Sequence, residues 1–522
     1  MHYIKLYSEP MKYPNIVFYR HKKYNWMDAF FQQDNVKDRL LCHINPTDNP
    51  TDLRWLFDPN YPLLVTFGET EKEYYAEINS VLPARMSMRW IHYTAIPNVD
   101  EFNRGVNYCF ANLVNMPAES TRVTFSIFTT CYNSYAKIHR AYQSIQAQTY
   151  LDWEWVVMDD SPDPAHFEFL CKTFRDDKRV RLYKRSENSG NIGNVKNEVV
   201  LLCRGKYVLE MDHDDEIVDD LVENAVRVFE QDAAIGFVFS DCINIYEDGR
   251  NYRYSDFFGL GYEGYYCRKF QGAWRYVCST ANINNITLSH IVSVPNHARI
   301  WRKYVLLDMG NYSEFLPIAD DYHILVRTAV KTKMAKLHKL GYIQYMNHGN
   351  NNFSLIRNSE INRLVPLHLM PHQYRDYHVH DRMKELDAYE PETYIHNHSQ
   401  IWKRGPDYEH KFCNLIVNVD YDQIICIIGI ENLIRNMTRI RDLYKNPRID
   451  FLLLENKMKC EELWRFLDVQ HLDRMKCYAM TDVSYEELER YFNLIYKSLS
   501  HVEIIKEETP TPHTPPSPSI VL

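Results

Sequence analysis

From residue 122 to about residue 364, short apolar runs alternate with amphipathic stretches, and this alternation sets the expected architecture. Residues 123–129, 153–158, 180–184 and 206–211 read as strands. Residues 134–148 and 193–203 carry apolar positions at helical spacing. Strands and helices in alternation, with loops at the strand C-termini, predict a parallel, doubly wound α/β sheet. Ligands of such sheets bind beyond the carboxyl ends of the strands. Two acidic clusters, Asp159–Asp160 and Asp212–Asp215, fall at such ends.

Two stretches of different texture flank this block. Residues 1–118 read as a smaller α/β unit, with a strand at 63–67 closed by Gly68, helical character over 69–82, alternation over 86–93 and a helix over 99–113. Residues 115–121 look like a linker. Beyond 365, sequence rich in His, Tyr and Pro runs to about 410. Strands at 424–430, 449–454 and 475–480 then alternate with helices at 431–444, 460–467 and 485–499, a small βαβαβα unit within a domain spanning 365–506. Residues 507–522 are rich in Pro, Ser and Thr and predict a disordered tail.

Composition narrows the function classes. The chain has 522 residues, 45% hydrophobic and 25% charged, ordinary for a soluble globular protein. Its formal charge of -9 provides no global field for nucleic acid. The 12 cysteines include no CxxC pair, which argues against a zinc site and for reduced thiols. The opening MHYIKLYSEP lacks the apolar core of a secretory signal. The longest aliphatic runs, about seven residues, fall short of the roughly 20 that span a bilayer. The expectation is a soluble cytoplasmic protein without a transmembrane segment.

The densest chemistry lies at Tyr207–Asp215 (YVLEMDHDD), where an apolar strand delivers three carboxylates into one turn. Such carboxylates repel unless a cation or abundant solvent is present. Asp212 and Asp214, two residues apart, can aim at one hard divalent ion, which takes oxygen ligands. The same turn also serves as an acidic cap for the next helix. Asp159–Asp160 has the composition of an Asx-type turn. Thr130 and Tyr132 end the first strand, where they suit either helix capping or contact with a flat base.

Taken together, the order of these elements is more specific. FSIFTTCYNSYAKIHRAYQSIQAQTYLDWEWVVMDDS, ENSGNIGNVKNEVVLLCRGKYVLEMDHDDEIVDDLVE, GFVFSDCINIYEDG, MGNYSEFLPIADDYHILVRTA and YMNHGNNNFS together resemble the family 2 glycosyltransferases of GT-A fold across residues 122 to about 357. The resemblance implies a GT-A domain at 122–364 between the smaller flanking α/β domains. It implies that Thr130 and Tyr132 line a nucleobase pocket and that Asp160 reads the base, usually uracil, at N3–H. Asn188, Gly190, Lys196 and Asn197 match a stretch passing close to the nucleotide, where a lysine suits a diphosphate or simply a solvated helix face. Asp212 and Asp214 match the DxD motif that holds ribose and a metal-bound diphosphate, with Asp215 behind them. His348 matches a downstream His that completes the metal site. Asp321 takes the place of the general base; Asp320 stands where the family usually has Glu.

The implied chemistry is transfer of a sugar from a nucleotide-sugar, expected to be a UDP-sugar, to a hydroxyl of a glycan, a lipid-linked sugar, a protein or a small molecule, with inversion and with Mn2+ or Mg2+. A base on the acceptor side removes the hydroxyl proton as the bond forms. The cation stabilises the leaving diphosphate as a Lewis acid. A processive synthase of this family would add QxxRW and membrane spans; Gln271–Arg275 (QGAWR) has these letters in another order, so the expectation is a non-processive enzyme. The alternative is a degenerate transferase domain acting as a glycan-binding or scaffold module. The flanking domains would recognise the acceptor or pair copies of the chain.

Overall fold

The computed structural model describes residues 15–40, 42–49, 63–74, 90–114, 123–185, 188, 190–253, 264–292, 294–314, 316, 318–346, 359–361, 363–390, 411, 413–479, 484–496 and 501–506. The expected tail at 507–522, the linker at 115–121 and most of the helical stretch expected at 69–82 lie outside these residues. The chain divides into two compact units. One comprises residues 1–250, 280–392 and 411–417; the other comprises 251–279, 393–410 and 418–522. The division does not follow the sequence boundaries, because residues 251–279 join the C-terminal unit.

The first unit opens with a four-stranded parallel sheet in the order His43–Thr47, Asn15–Tyr19, Leu63–Phe67 and Trp90–Tyr93. Phe18, Phe30, Phe67 and Phe102 pack together over one of its faces. The first two of these strands are not among the expected ones: His43–Thr47 (HINPT) has no apolar run, whereas Asn15–Tyr19 (NIVFY) carries one.

The main sheet of this unit runs Val180–Lys184, Trp153–Asp159, Phe125–Cys131, Tyr207–Glu210, Arg299–Arg302, Ile235–Tyr246 and Lys333–Met346. Its first four strands are parallel, as the pattern predicted. Arg299–Arg302 is antiparallel to both its neighbours, so the sheet is mixed. Helix Ile192–Leu202 contributes Val195, Val199 and Val200 to the core beneath it. Gly193 in that helix lies against backbone: an added Cβ would fall 1.8 Å from the Ser313 carbonyl oxygen.

The second unit orders its parallel strands as Val502–Ile505, Gln423–Ile428, Ile449–Glu455 and Lys476–Ala479. The last strand in sequence returns beside the first, an element the expected βαβαβα unit lacks. The expected helix at 431–444 is two helices, Ile430–Arg435 and Met437–Leu443, meeting at Asn436. A hairpin, Tyr265–Phe270 with Ala273–Cys278, pairs antiparallel with Lys476–Ala479. Gln271 and Gly272 form its turn, both at positive φ. Trp274 donates from Nε1 to Asp468 at 3.0 Å. QGAWR is therefore a hairpin turn with an anchoring indole.

Candidate active site

Three parallel strands bring separate loops to one edge. Phe125–Cys131 lies between the other two, with Cys131 opposite Asp159 and Phe128 opposite Glu210. The segments that follow them, around Tyr132, Asp160 and Asp212, therefore emerge side by side.

The first two loops are stitched together by buried polar contacts. The Asp159 carboxylate is fully buried and accepts from Ser161 N at 3.0 Å and from His166 Nδ1 at 2.9 Å. His166 Nε2 accepts from the Ser134 backbone N–H at 3.0 Å, which assigns the ring proton to Nδ1. Asn133 N donates to Ser161 Oγ at 2.9 Å. Burial pushes the Asp159 carboxyl up, but the hydrogen bonds from His166 and Ser161 outweigh it and hold the group below its ordinary range. This holds the loop carrying Thr130 and Tyr132 against the turn carrying Asp160. Thr130 is half-buried and Tyr132 is exposed. His166 escaped the sequence reading: its one signal, a His early in the helix Pro164–Thr173, is common to many capped helices.

Asp160 and Asn188 are in contact. Asn188 Nδ2 donates to Asp160 Oδ2 at 2.9 Å and to its carbonyl oxygen at 2.6 Å. Arg185, not singled out in the sequence, approaches Asp160 Oδ1 at 3.3 Å and Glu198 at 2.6 Å.

The acidic turn sits at the next strand end. Asp214 and Asp215 are buried. Asp215 accepts from Tyr342 OH at 2.9 Å and from Tyr345 N at 2.8 Å, and Tyr342 OH accepts from Asp212 N at 3.2 Å. Tyr342 is itself stacked on His297 at 4.1 Å. The Asp212 carboxylate has no hydrogen-bond partner among the described residues. Burial, then the charges of Glu210 and Asp214, push its pKa up to about 7. Burial, then the charges of Asp214 and Asp212, raise Asp215 well above the carboxylate range. A cation among these acids would relieve that cost, so Asp212 and Asp214 fit a hard divalent ion in chemistry and spacing. Among the described residues no group of three or more His, Cys, Asp and Glu is arranged to hold a metal. His348, the expected third ligand, lies outside the described residues.

Asp320 and Asp321 open the helix Asp320–Lys331, preceded by Ala319 in the left-handed region at φ 57°. Lys196 bridges Asp320 at 2.8 Å and Glu210 at 2.7 Å. Arg299 bridges Glu210 at 3.3 Å and Asp321 at 3.0 Å. Tyr312 OH donates to Glu210 at 2.9 Å. The charges alternate in order Asp320, Lys196, Glu210, Arg299, Asp321. Burial pushes Glu210 up, but Lys196 and Arg299 together bring it down to about 2. Lys196 is thus committed to two carboxylates within the protein. The structure places it buried in this ion ladder and not on a solvated helix face. Asp212 feels both Lys196 and Arg299. Through the shared charge of Arg299, Asp212 and Asp321 belong to one electrostatic cluster, which Asp214 adjoins through its charge on Asp212, with Asp160 two strands away along the same edge.

Residues 126–308 match the sequence model of Glycosyl transferase family 2. The chain is 22% identical over 420 residues to a hyaluronan synthase of Pasteurella multocida, covering 78% of this chain and 40% of that protein. It is 22% identical over 395 residues to a chondroitin synthase of Pasteurella multocida strain Pm70, covering 73% and 37%. The chain thus spans about two fifths of the length of these curated relatives. Among solved structures, S. aureus TarS 1-349 in complex with UDP-GlcNAc matches at 18% identity, 49% of this chain, 70% of that chain and a TM-score of 0.34. Over residues 126–308 the chain is similar to family 2 glycosyltransferases. No helix among the described residues is long and apolar enough to cross a membrane.

Proposed function

We propose that this protein is a family 2 glycosyltransferase, a metal-dependent, inverting and non-processive enzyme that moves a sugar from a UDP-sugar to a hydroxyl of a glycan acceptor. The observation that carries the reading is the electrostatic cluster: Arg299, paired with the Asp321 carboxylate, also acts on Asp212 in the acidic turn. A donor site and an acceptor-side base are the two parts this reaction needs. The names of the relatives, synthases of hyaluronan and chondroitin, support a glycan as acceptor.

In this reading Tyr132 and Thr130 flank the base, and the Asp160 carboxylate, oriented by Asn188, accepts the N3–H of uracil. Asp212 and Asp214 would hold Mn2+ or Mg2+, which supplies Lewis-acid stabilisation of the departing diphosphate. Asp321 takes the proton of the acceptor hydroxyl. The acceptor oxygen bonds to the anomeric carbon as that carbon's bond to the diphosphate oxygen breaks, on the opposite face, so the configuration inverts. The pre-set positions of the groups supply much of the rate.

The test is a panel of UDP-sugars with Mn2+, for the wild-type chain and Asp321→Asn. The expected result is transfer or slow donor hydrolysis by the wild type, and a variant that binds UDP equally well but has lost transfer. Equal inertness of both proteins with every donor would favour a glycan-binding or scaffold module. Loss of UDP binding in the variant would remove Asp321 from the role of base.

A further inference from the structure

We propose that Arg299 is the positioning residue for Asp321, and that through Glu210 it ties the acceptor-side base to the strand that delivers Asp212. This rests on the reading of Asp321 as that base. The Arg299 guanidinium is nearly fully buried, and all three of its nitrogens are engaged. Nε donates to the Asn296 carbonyl oxygen at 2.8 Å, Nη1 meets Glu210 at 3.3 Å and Nη2 meets Asp321 at 3.0 Å. A planar fork with fixed donors can serve three acceptors at once; a lysine ammonium on a flexible stem cannot hold the same three directions.

The anchor behind this fork is rigid. Glu210 is the last residue of the strand Tyr207–Glu210, and Arg299 pairs opposite it in register on the neighbouring strand. Lys196 and Tyr312 hold the Glu210 carboxylate from other directions. Asp321 is the most exposed acid of the ladder, with 25% of its side chain accessible against 7% for Glu210. It is therefore the member of the ladder most open to solvent, and Arg299 holds one of its oxygens. One Asp321 oxygen faces Arg299, and the other accepts from Tyr322 N at 2.7 Å. Asp320 is held by Lys196, so the two neighbouring carboxylates pair with different cations.

The experiment has an arm that needs no substrate. Full-length wild type, Arg299→Lys and Arg299→Gln are treated with a water-soluble carbodiimide and glycine ethyl ester, and carboxyl modification is read by peptide mass spectrometry. Arg299→Lys retains a cation beside buried Glu210 and keeps a folded variant available if Arg299→Gln does not fold. The expected result is Asp321 modified several-fold faster in the variants, with Asp320 unchanged. The second arm measures UDP affinity by calorimetry and turnover of the UDP-sugar panel. Misplacing a reacting group by about 1 Å costs roughly a hundredfold, so kcat should fall by about ten- to a hundredfold with UDP affinity within about twofold. Unchanged modification of Asp321 in Arg299→Lys overturns the proposal whatever the activity. Faster modification of Asp321 in the variants, with a wild type that turns over no donor, would uphold the positioning contact and overturn the proposed function instead. A variant with normal kcat would also overturn the proposal.

Discussion

Replacing Lys196 by Met separates two roles for this residue. Its side chain is 9% accessible, with Glu210 at 2.7 Å and Asp320 at 2.8 Å. Breaking a buried ion pair by removing one partner costs about 3–5 kcal/mol. Glu210 keeps Arg299 and Tyr312, and Met nearly conserves the volume, so the loss should sit near the lower end, about 3 kcal/mol. At 1.4 kcal/mol per decade, that is roughly a hundredfold in local opening. Hydrogen exchange read by mass spectrometry keeps the two units apart in one experiment. Protection should fall about a hundredfold in the helices Ile192–Leu202 and Asp320–Lys331, while peptides covering Ile449–Glu455 in the other unit stay unchanged. UDP affinity, measured in parallel with Mn2+, should stay within about twofold. Unaltered protection together with UDP binding weakened tenfold or more would refute the reasoning and return Lys196 to the diphosphate.

Three further outcomes are expected. Asp214→Ala should abolish the Mn2+ dependence of UDP binding; calorimetry giving equal affinities with and without Mn2+ in the wild type would count against the metal assignment. Gly193→Ala should cost about 1–3 kcal/mol or more, because its Cβ has no room beside the Ser313 carbonyl; a melting temperature unchanged from wild type would mean the helix shifts at no cost. Glu210 titrates near 2 in the folded chain against 4.5 when unperturbed. A depressed carboxyl contributes stability that is present above about pH 4.5 and lost as pH falls toward 2. Glu210→Gln should therefore flatten the acid limb of the stability profile in that window, and superimposable limbs would contradict it.

Apolar periodicity alone carried the parallel half of the main sheet and the alternating core of the C-terminal unit. Runs such as IFTT, WVVM and YVLE are buried on both faces, and a strand of that kind shows itself without reference to partners. The loops after those strands were equally legible, because the direction of a parallel strand decides which end carries the ligand-facing residues. Arg299–Arg302 was not legible: RIWR begins and ends in a charge, and its arginines are buried only because Glu210 and the Phe229 and Ile235 carbonyls await them. The same holds for the ion ladder. Glu210 and Arg299 are 89 residues apart, and Lys196 and Asp320 are 124 apart. Nothing local distinguishes Lys196 from a solvated helix lysine. Which charge meets which is decided when distant segments pack, since a buried ion is tolerable only beside its counter-ion, and only the tertiary structure supplies that neighbour.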